Sequence, residues 1–201
     1  AGGSLKDVKQ VAATEVSASQ ISEIAGFSFV DAIHISDDIG TLKTFNASVI
    51  PSRMSSSIHV EGASVQELKD LAFTPNTYSI ADSVQNVLSA KTEALNGKPI
   101  ITGAEALELT APASAPISFA DMTFLAREVT SFPDNVPMAV KDNAQTLLAA
   151  SDSNDESIRL AFYDTDNLTF SPGSFVSISE LREFMGLKQF DLSHSTFELR
   201  D

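Results

Sequence analysis

One short pattern recurs four times along this chain and limits the folds open to it. Each copy has a serine, then an acidic or amide residue three positions later, then an apolar residue. The copies begin at Ser17, Ser64, Ser118 and Ser177. In a capping box the serine oxygen accepts a hydrogen bond from the third backbone N–H of a helix, and the side chain at that position reaches back to the serine N–H. The pattern therefore predicts four short amphipathic helices that begin at these serines.

A second pattern lies between the serine boxes. Three short runs rich in β-branched residues end in an aspartate, and each aspartate is followed by apolar residues at helical spacing. An aspartate at the N-cap accepts backbone N–H bonds and complements the positive end of the helix dipole. We therefore predict that Asp37, Asp82 and Asp142 are helix caps.

The segments that separate these helices are typical of strands. They comprise residues 58–60, 99–102, 106–109, 158–163 and 168–170. Strands that alternate with short helices favour parallel pairing, and units this small must stack on one another to bury both helical faces. The predicted fold class is α/β, an array of imperfect strand-helix-strand-helix repeats stacked into a single elongated, solenoid-like domain.

The intervals between the four serines are 47, 54 and 59 residues, so the repeat is imperfect. We predict a flexible lead or cloning remnant at residues 1–10 and one repeat domain at 11–201. A helix alone is expected in the first partial unit, and a strand at 190–193 is expected to open the last one. The units are 11–30 (partial), 31–76, 77–135, 136–188 and 189–201 (partial).

Charge and composition exclude several classes of protein. The 201 residues carry 13 Lys plus Arg against 27 Asp plus Glu, a formal net charge of −14, which argues against a nucleic-acid partner because that affinity comes from clustered cations. The chain has no cysteine, so disulfides and zinc-thiolate sites are excluded. No apolar run approaches the length of about 20 residues that crosses a bilayer, and no transmembrane segment is predicted.

One acid-rich stretch has the character of a cation site. Asp164, Asp166 and Asn167 alternate oxygen-bearing side chains on a predicted turn, and Asp155 precedes them. Calcium takes six to eight oxygen ligands, so these four residues form the candidate metal site, with calcium as the one cofactor put forward and none required. The alternative is a solvated turn, because Asp and Asn also make turns unaided.

No arrangement of residues typical of catalysis emerges. His34 and His59 lie on predicted strands and would form a metal site only if stacking aligned them, whereas an exposed or half-buried strand histidine is the simpler interpretation. Asp191, Ser193 and His194 have the residue types of a hydrolase triad, but neighbours on a strand point to opposite faces. We predict no catalytic residue and no enzymatic activity.

Two segments carry a resemblance to a known class of protein. Residues 78–88 (YSIADSVQNVL) and 140–148 (VKDNAQTLL) resemble degenerate repeats of about this length in very large secreted bacterial proteins, including adhesin-like and type I-exported exoproteins. The resemblance extends over most of residues 11–193, and residues 38–41 depart from it. It implies an extracellular or cell-surface location and no catalytic residues, because such repeats look like spacers or binding modules.

Three functions follow as hypotheses. The first is a non-enzymatic structural or adhesive repeat segment of a secreted or cell-surface bacterial protein, whose partners are adjacent repeats of a longer chain or a cell-surface, glycan or protein partner. The second is a calcium-dependent ligand-binding module. The third is a surface-layer or filament assembly subunit.

Overall fold

The computed structural model describes residues 12–129 and 132–200. The predicted lead at residues 1–10 lies outside them. The strands are β1 (Ala12–Val16), β2 (Ala32–Asp38), β3 (Ser55–Ala63), β4 (Thr77–Ser83), β5 (Ala94–Leu95), β6 (Lys98–Pro99), β7 (Ala106–Ala111), β8 (Ala139–Asp142), β9 (Asn167–Phe170), β10 (Ser174–Val176) and β11 (Phe197–Leu199). The α-helices are α1 (Ile21–Ile24), α2 (Ile39–Leu42), α3 (Val65–Lys69), α4 (Val84–Ser89), α5 (Phe119–Glu128), α6 (Ala144–Ser151), α7 (Glu156–Tyr163) and α8 (Ile178–Met185). Short 3-10 helices occupy Ala18–Gln20 and Ala47–Val49.

A five-stranded parallel sheet has the order β1-β2-β3-β4-β7. Its most regular pair is β2 with β3, which stay in register from Ala32 opposite Ser55 to Asp38 opposite Glu61. Two further parallel pairs, β8 with β9 and β10 with β11, belong to separate small sheets. The mixed α/β class and the parallel pairing predicted from sequence are confirmed.

The described chain divides into two compact units. The first unit comprises the described residues up to Ala81 together with Glu93–Glu105, and the second comprises Asp82–Thr92 together with the described residues from Ala106 onward.

The core of the first unit lies on one face of its strands. Ile33 and Ile35 of β2 and Val60 of β3 are buried, whereas His34 between the two isoleucines is exposed. This alternation follows from the two-residue period of a strand. Tyr78 of β4 is buried, its hydroxyl donates to the carbonyl of Ile100 at 2.9 Å, and burial raises its pKa.

Arg53 is hydrogen-bonded to the loop between α1 and β2 in the same unit. Its guanidinium donates to the carbonyl oxygens of Val30 at 2.7 Å and of Ala25 and Phe27 at 3.0 Å. Helix ends leave carbonyls without intrahelical partners, and this one side chain satisfies three carbonyls in and after the α1 terminus.

Aromatic side chains fill the core of the second unit. Phe170 is completely buried, and its ring centroid lies 4.8 Å from those of Phe184 and Phe190 and 5.7 Å from that of Phe197. Phe162 is also buried and meets Phe119 edge to face. Each buried aromatic ring removes a large apolar area from water, so a few phenylalanines dominate this core.

Several predicted elements differ from the structure. Residues 158–163 were expected to form a strand but belong to α7, where Ala161 and Phe162 are buried and Leu160 and Tyr163 are exposed. The buried residues Ala161 and Phe162 lie three and four positions after half-buried Ile158, which is helical spacing. Asp155 provides the N-cap. The β-branched and aromatic content of the segment had favoured a strand.

The two partial units also differ from the sequence prediction. The first was expected to hold a helix alone, yet β1 precedes its helical turn and pairs with β2. In the last unit Phe190 makes a single parallel bridge to Leu168, and the strand itself lies further on, at β11. Residues 99–102 pair only at Pro99, within the two-residue β5-β6 hairpin. Isolated short runs do not reveal whether a partner strand is available to them.

Candidate functional site

The predicted serine caps lie at helix N-termini. The backbone N–H groups of Glu67, Asp121 and Glu180 donate to the hydroxyls of Ser64, Ser118 and Ser177 at 3.3, 3.1 and 3.2 Å. Ser17 begins the 3-10 helix at Ala18, and its N–H donates to Gln20 Oε1 at 3.1 Å.

The two serine boxes that contain a glutamate hold it in its charged form. The Lys43 ammonium, 3.0 Å away, and the Ser64 backbone N–H lower the pKa of Glu67. At α8 the backbone N–H of Ser177 donates to Glu180 and lowers the pKa of that carboxyl. A hydrogen bond to the charged form of a carboxyl favours that form, so both boxes are strongest when the glutamate is ionised.

The three predicted aspartate caps lie one residue before the N-cap. The N-cap residues are Asp38 for α2, Ser83 for α4 and Asn143 for α6. Each of these polar residues can itself cap a helix, and the chain needs one more residue than expected to leave the strand. The prediction for Asp37, Asp82 and Asp142 is therefore wrong by one position.

Asp37 and Asp142 cap a neighbouring helix instead of their own. Asp37 Oδ2 accepts a hydrogen bond from the N–H of Ala18 at 2.9 Å, and Asp142 Oδ2 accepts one from the N–H of Phe119 at 2.9 Å. Both donors are the first residue after a serine cap. The other carboxylate oxygen accepts from the next backbone N–H in each case.

Asp82 shares with them the bond to the following residue. Its Oδ1 accepts from the backbone N–H of Ser83 at 2.7 Å and from the side-chain amide of Asn86 at 2.8 Å. The bond to the following residue is common to all three aspartates. It ties each carboxylate to the point where the strand passes into the helix.

The open face of the first unit's strands carries a row of polar side chains. His34 Nδ1 lies 2.5 Å from Ser57 Oγ on the adjacent strand. His59 Nδ1 lies 2.8 Å from Thr77 Oγ1 and 3.2 Å from Glu105 Oε2. These five residues line one open cleft of about 310 Å³. We call them the polar face.

The polar face contains both His34 and His59, which the sequence did not show to be close together. His34 and His59 come together in the cleft because His34 pairs with Ser57 in register and His59 follows two residues later on the same side of β3. Their Nε2 atoms have no hydrogen-bond partner among the described residues. Ser57, Thr77 and Glu105 were missed, and the signal was the alternation of polar and apolar residues in both strands.

Two of the four candidate calcium residues accept hydrogen bonds from backbone N–H groups. Asp155 Oδ1 accepts from the backbone N–H groups of Ser157 and Ile158 at the start of α7. Asp166 Oδ2 accepts from the N–H of Met138 at 2.6 Å. Burial, and then the charge of Asp166, raise the pKa of Asp164. Asn167 is the first residue of β9. Within residues 12–129 and 132–200, no group of three or more His, Asp or Glu suited to a metal ion occurs.

Asp191, Ser193 and His194 meet in a turn. Ser193 Oγ donates to Asp191 Oδ1 at 2.6 Å, and His194 Nδ1 lies 2.6 Å from Asp191 Oδ2 and 3.1 Å from Ser193 Oγ. The bonds from Ser193 and then His194 lower the pKa of Asp191 strongly. The argument from strand alternation does not hold here because the segment is not a strand. A triad needs the two imidazole nitrogens to serve serine and aspartate separately, and here one nitrogen meets both.

Comparison of the chain with protein family models, with curated proteins and with solved structures gave no match. Among the described residues, no helix is both long enough and apolar enough to cross a membrane.

Proposed function

We propose that this chain is a non-enzymatic structural or adhesive repeat segment of a secreted or cell-surface bacterial protein. In this proposal strand-helix modules stack through their parallel strands into a solenoid-like array. The observation that carries it is the recurrence of one capping arrangement in both compact units: a serine-capped helix whose first N–H donates to an aspartate at the end of the neighbouring strand.

The two copies of this arrangement agree in detail. Asp37 and Asp142 are each followed by the N-cap residue of the next helix, and each binds that residue's N–H through Oδ1. Their other oxygen reaches back 19 residues to Ala18 and 23 residues to Phe119. Independent origin of the same pair of bonds at two strand ends is a weaker explanation than repetition of one module.

The polar face supports the adhesive part of the proposal. Parallel strands in a repeat array present a broad surface on which partners bind. Here that surface offers imidazole, hydroxyl and carboxylate groups from three neighbouring strands and the Glu105 segment, suited to hydrogen bonding with a glycan or a polar protein surface.

Deletion of one module tests the repeat architecture. His59 of β3 pairs with Thr77 of β4, so removing residues 59–76 joins Ile58 to Thr77 without a change of facing. We expect a chain that still unfolds cooperatively in urea, with a smaller m-value because less surface becomes exposed.

Deletion of residues 59–75 is the matched control. It differs by one residue and turns every following side chain of the strand to the opposite face. We expect this variant to lose cooperative unfolding. Equal loss of structure in both variants would contradict the repeat proposal.

Binding assays test the adhesive part. The purified chain is incubated with beads coated with bacterial surface polysaccharides, and Ser57→Arg is compared with Arg182→Gln on exposed α8. Retention of the wild type, with loss only for the Ser57 variant, is the expected result. Identical retention of both variants would remove the polar face from the proposal.

Calcium binding is a second candidate, favoured by one observation. Burial, and then the charge of Asp166, raise the pKa of Asp164, and a bound cation relieves the repulsion between the two carboxylates. If Ca²⁺ binds the folded chain, the melting temperature rises with calcium and falls again with chelator. An unchanged melting temperature removes this candidate.

A further inference from the structure

A second cleft lies among three helices of the second unit. Its volume is about 420 Å³, within the range of small-molecule sites. One side is formed by α5, which contributes Phe119, Phe124 and Arg127, and the others by α6 and α7, which contribute Thr146, Ala150 and Ile158.

The floor of this cleft is part of the folded core. Phe119 and Ala150 are only 5% and 3% exposed, and Phe119 packs edge to face on buried Phe162 with 6.4 Å between ring centroids. Phe124 and Ile158 are half-buried above that floor. The apolar lining is therefore held in place before any ligand binds, which lowers the entropic cost of binding.

Arg127 is the one charged residue among those that line the cleft. Its side chain is exposed and makes no ion pair or hydrogen bond with any other residue in the described parts of the chain. Three lysines elsewhere have acidic partners: Lys43 with Glu67, Lys69 with Glu93 and Lys91 with Asp121, at 2.6 to 3.0 Å. The guanidinium of Arg127 is therefore available to an anionic ligand beside the apolar cleft.

We propose that this cleft binds an amphipathic carboxylate, such as a medium-chain fatty acid. The alkyl chain lies against Phe119, Phe124 and Ile158, and the carboxylate accepts the paired N–H donors of Arg127. A guanidinium matches a carboxylate in planar, two-bond geometry. The same positive charge disfavours a cationic ligand. This binding activity goes beyond the structural and adhesive role proposed above and does not depend on it.

Calorimetry with monomeric decanoate, at concentrations below micelle formation, tests the proposal on the full chain. Decanol, which has the same alkyl chain and no charge, is the comparison ligand. We expect saturable binding of decanoate at one site and binding of decanol at least tenfold weaker. Absence of saturable decanoate binding, or equal affinity for both ligands, overturns the proposal.

Two substitutions locate the site. Arg127→Gln should weaken decanoate binding at least tenfold and leave decanol binding unchanged, whereas Arg159→Gln, which removes an exposed arginine of α7 outside the cleft lining, should leave both unchanged. Ala149 is an exposed residue of α6 that lines the cleft. Ala149→Phe fills the cleft and should abolish binding of both ligands, with thermal unfolding as the check on folding. Undiminished decanoate binding in either the Arg127 or the Ala149 variant places the ligand elsewhere and refutes the proposal.

Discussion

The two compact units stabilise the same strand-to-helix motif in different ways. In the first unit the strands β2 and β3 have 7 and 9 residues, and helices α1 to α3 have only 4 or 5. In the second, helices α5 to α8 have 8 to 10 residues and strands β8 to β11 have 3 or 4, while α4 and β7 have 6 each. Sheet pairing dominates the first unit and helix packing the second.

The cores of the units follow this difference. None of the first unit's described phenylalanines is buried, and its interior is mainly aliphatic. The second unit buries Phe119, Phe162, Phe170 and Phe184. A long strand pair supplies many backbone hydrogen bonds and a flat aliphatic face, whereas short strands leave more space that bulky rings must fill. The same capping motif therefore occurs beside an aliphatic core in one unit and an aromatic core in the other.

Truncation of aromatic residues should show the largest difference between the units in the free energy of unfolding. Phe170→Ala removes a ring that is completely buried among three others and should lower the free energy of unfolding by about 3–5 kcal/mol. Phe27→Ala in the first unit removes a ring that is 44% exposed and stacks on Phe29, for a cost of about 1 kcal/mol. Urea denaturation measures both. Similar losses would mean that the aromatic core is not specific to the second unit.

The strand-end aspartates should behave alike despite the difference between the cores. Asp37→Ala and Asp142→Ala each remove the acceptors of two backbone N–H groups and should cost about 1–2 kcal/mol. The double variant should show the sum because the two sites share no partner. Asp134→Ala, at an exposed position, is the control, with an expected change below about 0.5 kcal/mol. Strongly unequal losses of stability in urea denaturation would mean that the two aspartates do not play the same role.

The glutamates of the serine boxes should show a smaller, pH-dependent effect. The folded-state pKa values of Glu67 and Glu180 lie below the ordinary 4.5. Their contribution to stability is therefore present above that value and is lost as the pH falls through the folded pKa. Glu67→Gln and Glu180→Gln should each flatten the acid side of a stability profile recorded from pH 7 down to about pH 3.

Salt then distinguishes the two boxes. Lys43 contributes to the lowered pKa of Glu67 and has no counterpart at Glu180. Because salt screens exposed charge pairs, high ionic strength should reduce the pH dependence contributed by Glu67 more than that contributed by Glu180. Denaturation at low and high salt compares them, and an equal response would exclude the lysine as the source.

The polar face should have the smallest effect on stability. Ser57→Ala removes the hydroxyl beside His34 Nδ1 and, at an open surface, should change the free energy of unfolding by less than about 0.5 kcal/mol. The NMR signals of the His34 imidazole should shift, while those of His194 in the second unit stay in place. A large loss of stability would make this face structural and weaken the case for a binding surface.

Local patterns in the sequence predicted the mixed α/β class and the serine-capped helices. The box at Ser64 needs only residues three apart, and such short-range geometry can be predicted from spacing. Asp37 and Asp38 are both good capping residues one position apart, and spacing does not decide which of them ends the strand. The choice depends on the neighbouring 3-10 helix, whose first residue, Ala18, has an N–H that requires an acceptor.

The polar face needed information that a linear pattern lacks. The alternation around His34 and around His59 predicts that each histidine points away from the core. Their shared cleft depends on the register of β2 against β3, which chain pairing sets at long range. The three-helix cleft around Arg127 was missed for the same reason, since it combines residues from α5, α6 and α7.

The aspartate that caps its neighbour has a consequence for how such chains diverge. Asp37 and Asp142 reach helix N-termini that lie 19 and 23 residues earlier, and the bond depends on adjacent strands and not on the length of chain between them. Loops can therefore gain or lose residues, at a small entropic cost, without disturbing the cap. As related chains diverge, the length of their repeats should change first and the strand-end carboxylate last. That carboxylate should therefore identify related chains better than any fixed repeat length.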